Sequence, residues 1–208
     1  AGRHVRRPVP FSRFRGRSND NDIRPDRLHA TMTLYALTGT PGTGKSSVSE
    51  ELRRRGYDVV DGKRFIIDNG LMGDLDEARD THEVDLDQLN DALEGFRASD
   101  GTVILDSHLS HFMDSHGIIV LRCAPSVLAG RLEARGYGPD KVRENVQAEV
   151  LDVILCEATE SDIPVFEVDC TSCSVAESAD AVEQIVKGDG GDYLPGKTDW
   201  SAEMDRWF

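Results

Sequence analysis

The chain has 208 residues, 38% of them hydrophobic, enough apolar content for one cored domain with appendages and too much for a disordered chain. Its 24 Lys and Arg against 38 Asp and Glu leave a net charge of −14, so the chain as a whole repels nucleic acid and anionic membranes, and any phosphate ligand has to be gripped locally. No apolar run approaches the length of a membrane span and no apolar stretch follows the N-terminal charges, which predicts a cytoplasmic protein without membrane partners; the four cysteines read as reduced core thiols.

In chain order, residues 1–31 come first, with eight Arg against Asp20, Asp22 and Asp26, a balance of +5 that leaves −19 for the remainder. Their prolines, serines and lack of apolar period predict a disordered basic leader, one that binds RNA or has no function of its own. The acidic remainder, in a chain with only five Lys, has the composition of proteins adapted to high salt. A short apolar run over 34–37 is the first predicted strand. It ends in a glycine-rich turn, and Val48, Leu52 and Arg55-Gly56 mark a helix closing at a glycine. Strand 57–60 follows. Leu86, Leu89, Leu93 and Phe96 recur at helical spacing, so 86–98 is an amphipathic helix leading into strand 103–105. Strand 118–121 comes next, then a helix with Pro125 in its first turn, a longer helix over about 140–158, strand 165–168 and helix 175–187. Gly188 to Gly191 break the pattern before a tail, 188–208, that holds Trp200, Trp207 and Phe208. Alternating strands and helices predict five parallel strands covered by helices on both faces.

The densest chemical signal follows the first strand. Gly39-Thr40-Pro41-Gly42-Thr43-Gly44-Lys45-Ser46 fits G-x-x-x-x-G-K-[ST] at every fixed position, and it lies between a strand and a helix, where that pattern works. Successive backbone N–H groups there curl round a phosphate, the helix N-terminus adds its positive end, Lys45 reaches the terminal phosphates and the Ser46 hydroxyl ligates Mg²⁺. Val103-Ile104-Leu105-Asp106 places a carboxylate at a neighbouring strand end, which makes Asp106 a metal partner for Ser46, the alternative being a plain turn residue. His108 leaves the same strand end; it handles a proton near the γ-phosphate or is structural. Arg131 and Arg135 lie four apart on one helix face, with Lys141 and Arg143 nearby, and Gly136-Tyr137-Gly138-Pro139 interrupts the pattern directly after them as a hinged lid would. Lys63 and Arg64 are open to two readings, as captors of an acceptor phosphate or as exposed helix cations. Cys170-Thr171-Ser172-Cys173 has zinc-like spacing but no matching second pair, while Cys123 and Cys156 are explained by core packing.

The phosphate loop, Asp106-Ser107-His108, Arg131-Leu132-Glu133-Ala134-Arg135-Gly136-Tyr137, Lys141, Glu144-Asn145-Val146-Gln147-Ala148-Glu149 and Glu157-Ala158 together resemble the adenylate kinase isoenzyme 6 family of eukaryotes and archaea, over about 32–187. The resemblance implies a three-layer P-loop NTPase fold of the nucleoside-monophosphate kinase type with a short lid. It implies phosphate transfer from ATP to AMP or a related monophosphate, an intrinsic ATPase, and a role in small ribosomal subunit maturation through a ribosomal protein and the pre-ribosomal particle. By position, Gly42, Thr43, Gly44, Lys45, Ser46 and Ser47 match ATP contacts, Arg135 the lid arginine and His108 the motif histidine of the ATPase. Residues 61–84 match the monophosphate-binding segment and 134–144 the lid. The basic stretch after Asp61 departs from the family. The rivals are an assembly ATPase whose kinase activity is incidental and a kinase of another small hydroxylated acceptor; no Asn-Lys-x-Asp motif favours a GTPase.

Overall fold

The computed structural model describes residues 33–76, 81–97 and 101–208, so the expected leader lies outside the described residues. In chain order the elements are β1 (Thr33–Thr38), α1 (Lys45–Arg54), β2 (Asp58–Asp61), α2 (Gly62–Asp68), β3 (Met72–Asp76), β4 (Thr81–Val84), α3 (Leu86–Arg97) and β5 (Thr102–Asp106). They continue through β6 (Gly117–Arg122), α4 (Pro125–Ala134), α5 (Pro139–Val150), α6 (Val153–Thr159), β7 (Val165–Asp169), α7 (Val175–Val186) and α8 (Met204–Trp207). The predicted α/β P-loop architecture is the one observed: five parallel strands in the order β2-β5-β1-β6-β7.

Both faces of this sheet are covered, which is why its strands are apolar runs without alternating polarity. Leu37 of β1 joins Ile119, Leu121, Val48, Leu52, Val182 and Ile185 on one face. Ala36, one residue earlier and pointing the other way, joins Ile118, Val120, Leu155 and Ala158 on the opposite face. Leu34, Val103 and Leu105 meet Leu89 and Leu93 of α3 and Ile66 of α2. Helix starts follow local chemistry. Pro125 opens α4, and Ser174 and Glu177 form a reciprocal capping box at α7, with N–H to Oγ and N–H to carboxylate distances of 3.2 and 2.8 Å.

Three features depart from the sequence expectations. A second, two-stranded antiparallel sheet pairs β3 with β4, in register Met72 to Val84 and Asp76 to Thr81. The single helix expected over about 140–158 is two helices, because Asp152 takes a left-handed backbone with φ 55° between α5 and α6. That conformation costs an L-residue about 1–2 kcal/mol, and the Asp152 carboxylate offsets it by pairing with the buried Arg122 guanidinium. Cys123 and Cys170 are buried, as expected of core thiols, but Cys156, also assigned to core packing, is exposed on α6, as is Cys173; all four are free.

Beyond α7 the chain lies against α4 and α5. The Gly196 and Lys197 amides donate to Glu167 Oε2 at 2.9 and 3.2 Å, the Glu203 carboxylate accepts from the Ser126 amide at 2.9 Å, and Gln147 Nε2 donates to the Trp207 carbonyl at 2.7 Å.

Candidate functional site

The loop from Gly39 to Gly44 sits at the C-terminal edge of β1, where the connections on its two sides part: β5 flanks β1 on one side and β6 on the other. This is the switch point at which open α/β sheets bind ligands. The loop folds onto one carbonyl. Thr40 O accepts from Thr43 N at 3.2 Å, from Thr43 Oγ1 at 2.9 Å and from Lys45 Nζ at 3.2 Å, and Lys45 Nζ also donates to Gly39 O. Gly44 precedes α1 with φ 118° and no side-chain cap, which leaves the first amides of α1 to a ligand.

Lys45, Ser46, Asp106 and His108 line one cavity of about 530 Å³ together with Gly42, Gly44 and Arg135. Burial pulls the Lys45 pKa down to about 8, against the opposing pull of the Asp106 and Glu149 carboxylates. Asp106, at the end of β5, moves the other way: burial raises its pKa above the usual carboxylate value, and Lys45 holds it partly back. His108 is pushed below the ordinary histidine value by desolvation and by the positive charge of Lys45, with further contributions from His111 and Lys63. The far wall is made by residues with no motif of their own, Asp61, Ile66, Met72, Val84, Leu109 and Tyr137. Their only sequence signal was position: inside 61–84 for the first four, directly after His108 for Leu109, and within the Gly-Tyr-Gly turn for Tyr137.

The two cations after β2 part company. Lys63 lines the cavity, whereas Arg64 is exposed and pairs with Asp68 at 3.4 Å. Arg131 and Arg135 also separate. Arg131 is half-buried and spends its guanidinium on carbonyls, with Thr43 O at 3.3 Å, Cys170 O at 2.9 Å and Thr171 O at 3.3 Å. Arg135 caps the end of α4, is exposed, and reaches the cavity. Lys141 and Arg143 are exposed and line neither hollow. A second groove of about 220 Å³ adjoins the loop on its other side, where Thr43 and Ser47 face Arg131, Arg135, Cys173 and Val175. The loop residues, Asp106, His108, Lys63, Arg131 and Arg135 are thus brought together around one loop, with Ser46 on the cavity side and Ser47 on the groove side, while Arg64, Lys141 and Arg143 stand apart. Among the described residues no helix is long and apolar enough to cross a membrane.

A family model described as AAA domain matches residues 36–152. A protein of Archaeoglobus fulgidus named "Putative adenylate kinase" is 42% identical over 175 residues, covering 83% of this chain and 94% of its own. A protein of the same name from Methanocaldococcus jannaschii is 41% identical over 153 residues, 73% of this chain and 85% of its own. The chain belongs to this archaeal family. Among solved structures, the YorR protein of Bacillus subtilis in complex with phosphorylated GDP aligns with a TM-score of 0.51 at 16% identity, over 74% of this chain and 96% of that one, a likeness of fold.

Proposed function

We propose that this protein is an ATP-dependent nucleoside-monophosphate kinase, catalysing ATP + AMP = 2 ADP, with a slower hydrolysis of ATP when no acceptor is bound. The observation that carries the reading is the shared cavity: phosphate-loop residues and the Lys63, Ile66, Met72 and Val84 wall face the same space. The name borne by the archaeal relatives and the resemblance to adenylate kinase isoenzyme 6 support it.

In this reading the loop amides, Lys45 and Ser46 hold the triphosphate, and the groove beside Ser47, Arg131 and Val175 takes the rest of ATP. Lys63 meets the acceptor phosphate, while the apolar Ile66, Met72 and Val84 wall receives its base. Arg135, at the C-cap of α4 directly before the exposed turn that holds Gly136 and Gly138, brings positive charge to the reacting phosphates. Two oxygen donors, the Ser46 hydroxyl and the Asp106 carboxylate, line the cavity beside Lys45 and suit a hard divalent cation that takes its other ligands from phosphate and water, so the residues present fit Mg²⁺. When bound there Mg²⁺ neutralises phosphate charge. Positioning two phosphates in line accounts for most of what such transfer needs. His108, whose pKa burial lowers, accepts a proton from water in the hydrolytic side reaction.

The test is an acceptor panel. Purified protein with ATP and Mg²⁺ is given each nucleoside monophosphate in turn, at low and at molar salt, and products are resolved. Acceptor-dependent diphosphate formation is expected, greatest with AMP, and His108→Gly lowers acceptor-free hydrolysis while leaving transfer to AMP largely intact. Hydrolysis indifferent to every acceptor would defeat the kinase reading.

A further inference from the structure

Against the phosphate loop, outside the lining of the cavity, lies a charged cluster that the proposed chemistry does not use. Arg122 at the end of β6, Glu149 on α5 and Glu167 on β7 are almost fully buried, 1%, 3% and 5% exposed, an expensive way to fill a core. Arg122 Nε meets Glu149 Oε1 at 2.8 Å, its Nη1 meets Glu167 Oε1 at 2.8 Å, and its Nη2 pairs with Asp152 and with the Glu149 carbonyl at 3.3 Å. Apolar side chains of the same volume would hold these elements at least as well, so stability alone does not explain the cluster.

What an apolar cluster could not do is reach the loop. Glu149 Oε2 accepts from Thr40 Oγ1 at 2.5 Å, and Thr40 is 2% exposed. Thr40 is also the residue whose carbonyl gathers Thr43 and Lys45. The other carboxylate oxygen of Glu149 accepts from the Cys123 amide at 3.1 Å and from Trp200 Nε1 of the C-terminal segment at 3.4 Å, and the Arg122 guanidinium stands 6.0 Å from the Trp200 ring. One side chain, carried by the helix that follows the Arg135 and Tyr137 turn, therefore touches the phosphate loop, the end of β6 and the C-terminal segment.

We infer that Glu149 is a positioning residue: through Thr40 it fixes the phosphate loop against α5 and the C-terminal segment, so that filling the loop is felt at Trp200. The inference rests on the nucleotide-binding reading of the loop. It adds a mechanical link between loop, helix and tail that nucleotide binding by itself does not require. Filling the loop draws Lys45 Nζ off the Thr40 carbonyl toward phosphate, which disturbs the residue whose hydroxyl bonds Glu149.

The experiment uses the full chain carrying Trp207→Phe, so that Trp200 is its one tryptophan. A non-hydrolysable ATP analogue with Mg²⁺ is titrated in, Trp200 emission is recorded, and binding is measured separately by equilibrium dialysis. Trp200 emission is expected to change and to saturate at the concentration where dialysis saturates. Adding Thr40→Val keeps the side-chain volume but loses the hydroxyl. It is expected to weaken binding roughly tenfold, the loss of one hydrogen bond to a charged acceptor, and to silence Trp200 even at saturation. Thr40→Ser is expected to restore both, and a fall in unfolding temperature alone would move neither readout. Binding without any Trp200 response in the Trp207→Phe protein, or a Thr40→Val protein that binds and responds as its parent does, overturns this inference and leaves the nucleotide reading standing. Absence of binding in the dialysis arm overturns both.

Discussion

Two glycines of the phosphate loop have positive φ for different reasons, and alanine at each separates those reasons. A Cβ added at Gly42 stands 2.7 Å from Leu128 Cδ1 and 3.0 Å from Leu132 Cδ2, both on α4 and both fully buried. At Gly44, which lines both the cavity and the adjoining groove, an added Cβ meets nothing within 4 Å. Both residues also leave the region open to L-residues, at φ 100° and 118°, which costs roughly 1–2 kcal/mol each. Gly42→Ala adds overpacking of about 1–3 kcal/mol, for a total of about 2–5 kcal/mol. At about 2–4 °C per kcal/mol for a domain of this size, Gly42→Ala lowers the unfolding midpoint by roughly 4–20 °C and Gly44→Ala by roughly 2–8 °C. Binding runs in the opposite order. The Gly44 methyl occupies space beside Lys45 and Ser46, so Gly44→Ala loses most ATP affinity, while Gly42→Ala retains more of it at temperatures where it stays folded. Thermal unfolding by circular dichroism and nucleotide titration calorimetry on the two variants check this. Leu128→Ala on top of Gly42→Ala relieves the overlap, so the pair costs less than the sum of the single changes. Gly44→Ala unfolding earlier than Gly42→Ala, or strict additivity of the pair, refutes the reasoning.

Four further outcomes follow from charge. ATP affinity is expected to be full below pH 8 and to fall as pH rises through about 8, by up to about tenfold per unit, because Lys45 loses its proton there and phosphate favours the ammonium; isothermal titration across pH 7–10 measures it. Without nucleotide the sign reverses. The unfolded chain holds a Lys45 proton up to the ordinary lysine pKa, so this residue makes the folded state more stable as pH rises from 8 toward 10.5. Arg122→Met strands Glu149, Glu167 and Asp152 without their shared cation and is expected to cost about 3–5 kcal/mol in urea unfolding, whereas Arg64→Met, which breaks an exposed pair, costs less than about 1 kcal/mol. With a net charge of −14, raising salt from tens of millimolar to molar is expected to raise the unfolding midpoint, as screening relieves self-repulsion.

Features fixed by short-range chemistry were legible in the sequence. The phosphate loop declares itself because only glycine fits its turns, and the five strands do because strands buried on both faces cannot alternate. The β3 and β4 pair was not legible, since 72–84 holds five acidic residues and few β-branched or aromatic ones, and shows no strand period. The break at Asp152 was hidden for another reason: no glycine or proline marks it, and its cause is Arg122, 30 positions away. Glu149 stood out in the sequence only as the last residue of the 144–149 stretch that carries the family resemblance, with no contact assigned to it. Its role is set by Thr40, 109 positions earlier, and nothing local records that pairing.

The same distinction between local and distant causes decides between Lys63 and Arg64, adjacent cations that the sequence left equivalent. In a chain this acidic, phosphate is excluded everywhere except where fixed cations converge, so position within the cavity should outweigh charge as such. Lys63 lines the cavity and has no carboxylate partner among the described ion pairs, while Arg64 faces solvent and pairs with Asp68 one helical turn on. Lys63→Gln is therefore expected to raise the KM for the monophosphate roughly 10- to 100-fold, the loss of a charge-assisted contact, with the KM for ATP little changed. Arg64→Gln is expected to shift either constant less than about twofold, because an exposed i,i+4 pair contributes only a few tenths of a kcal/mol. Steady-state kinetics with each nucleotide varied in turn separate the two constants. Equal effects from the two substitutions would mean that the acceptor responds to the general field of the 61–68 helix and not to a built contact, and the assignment of this wall to the acceptor would fail.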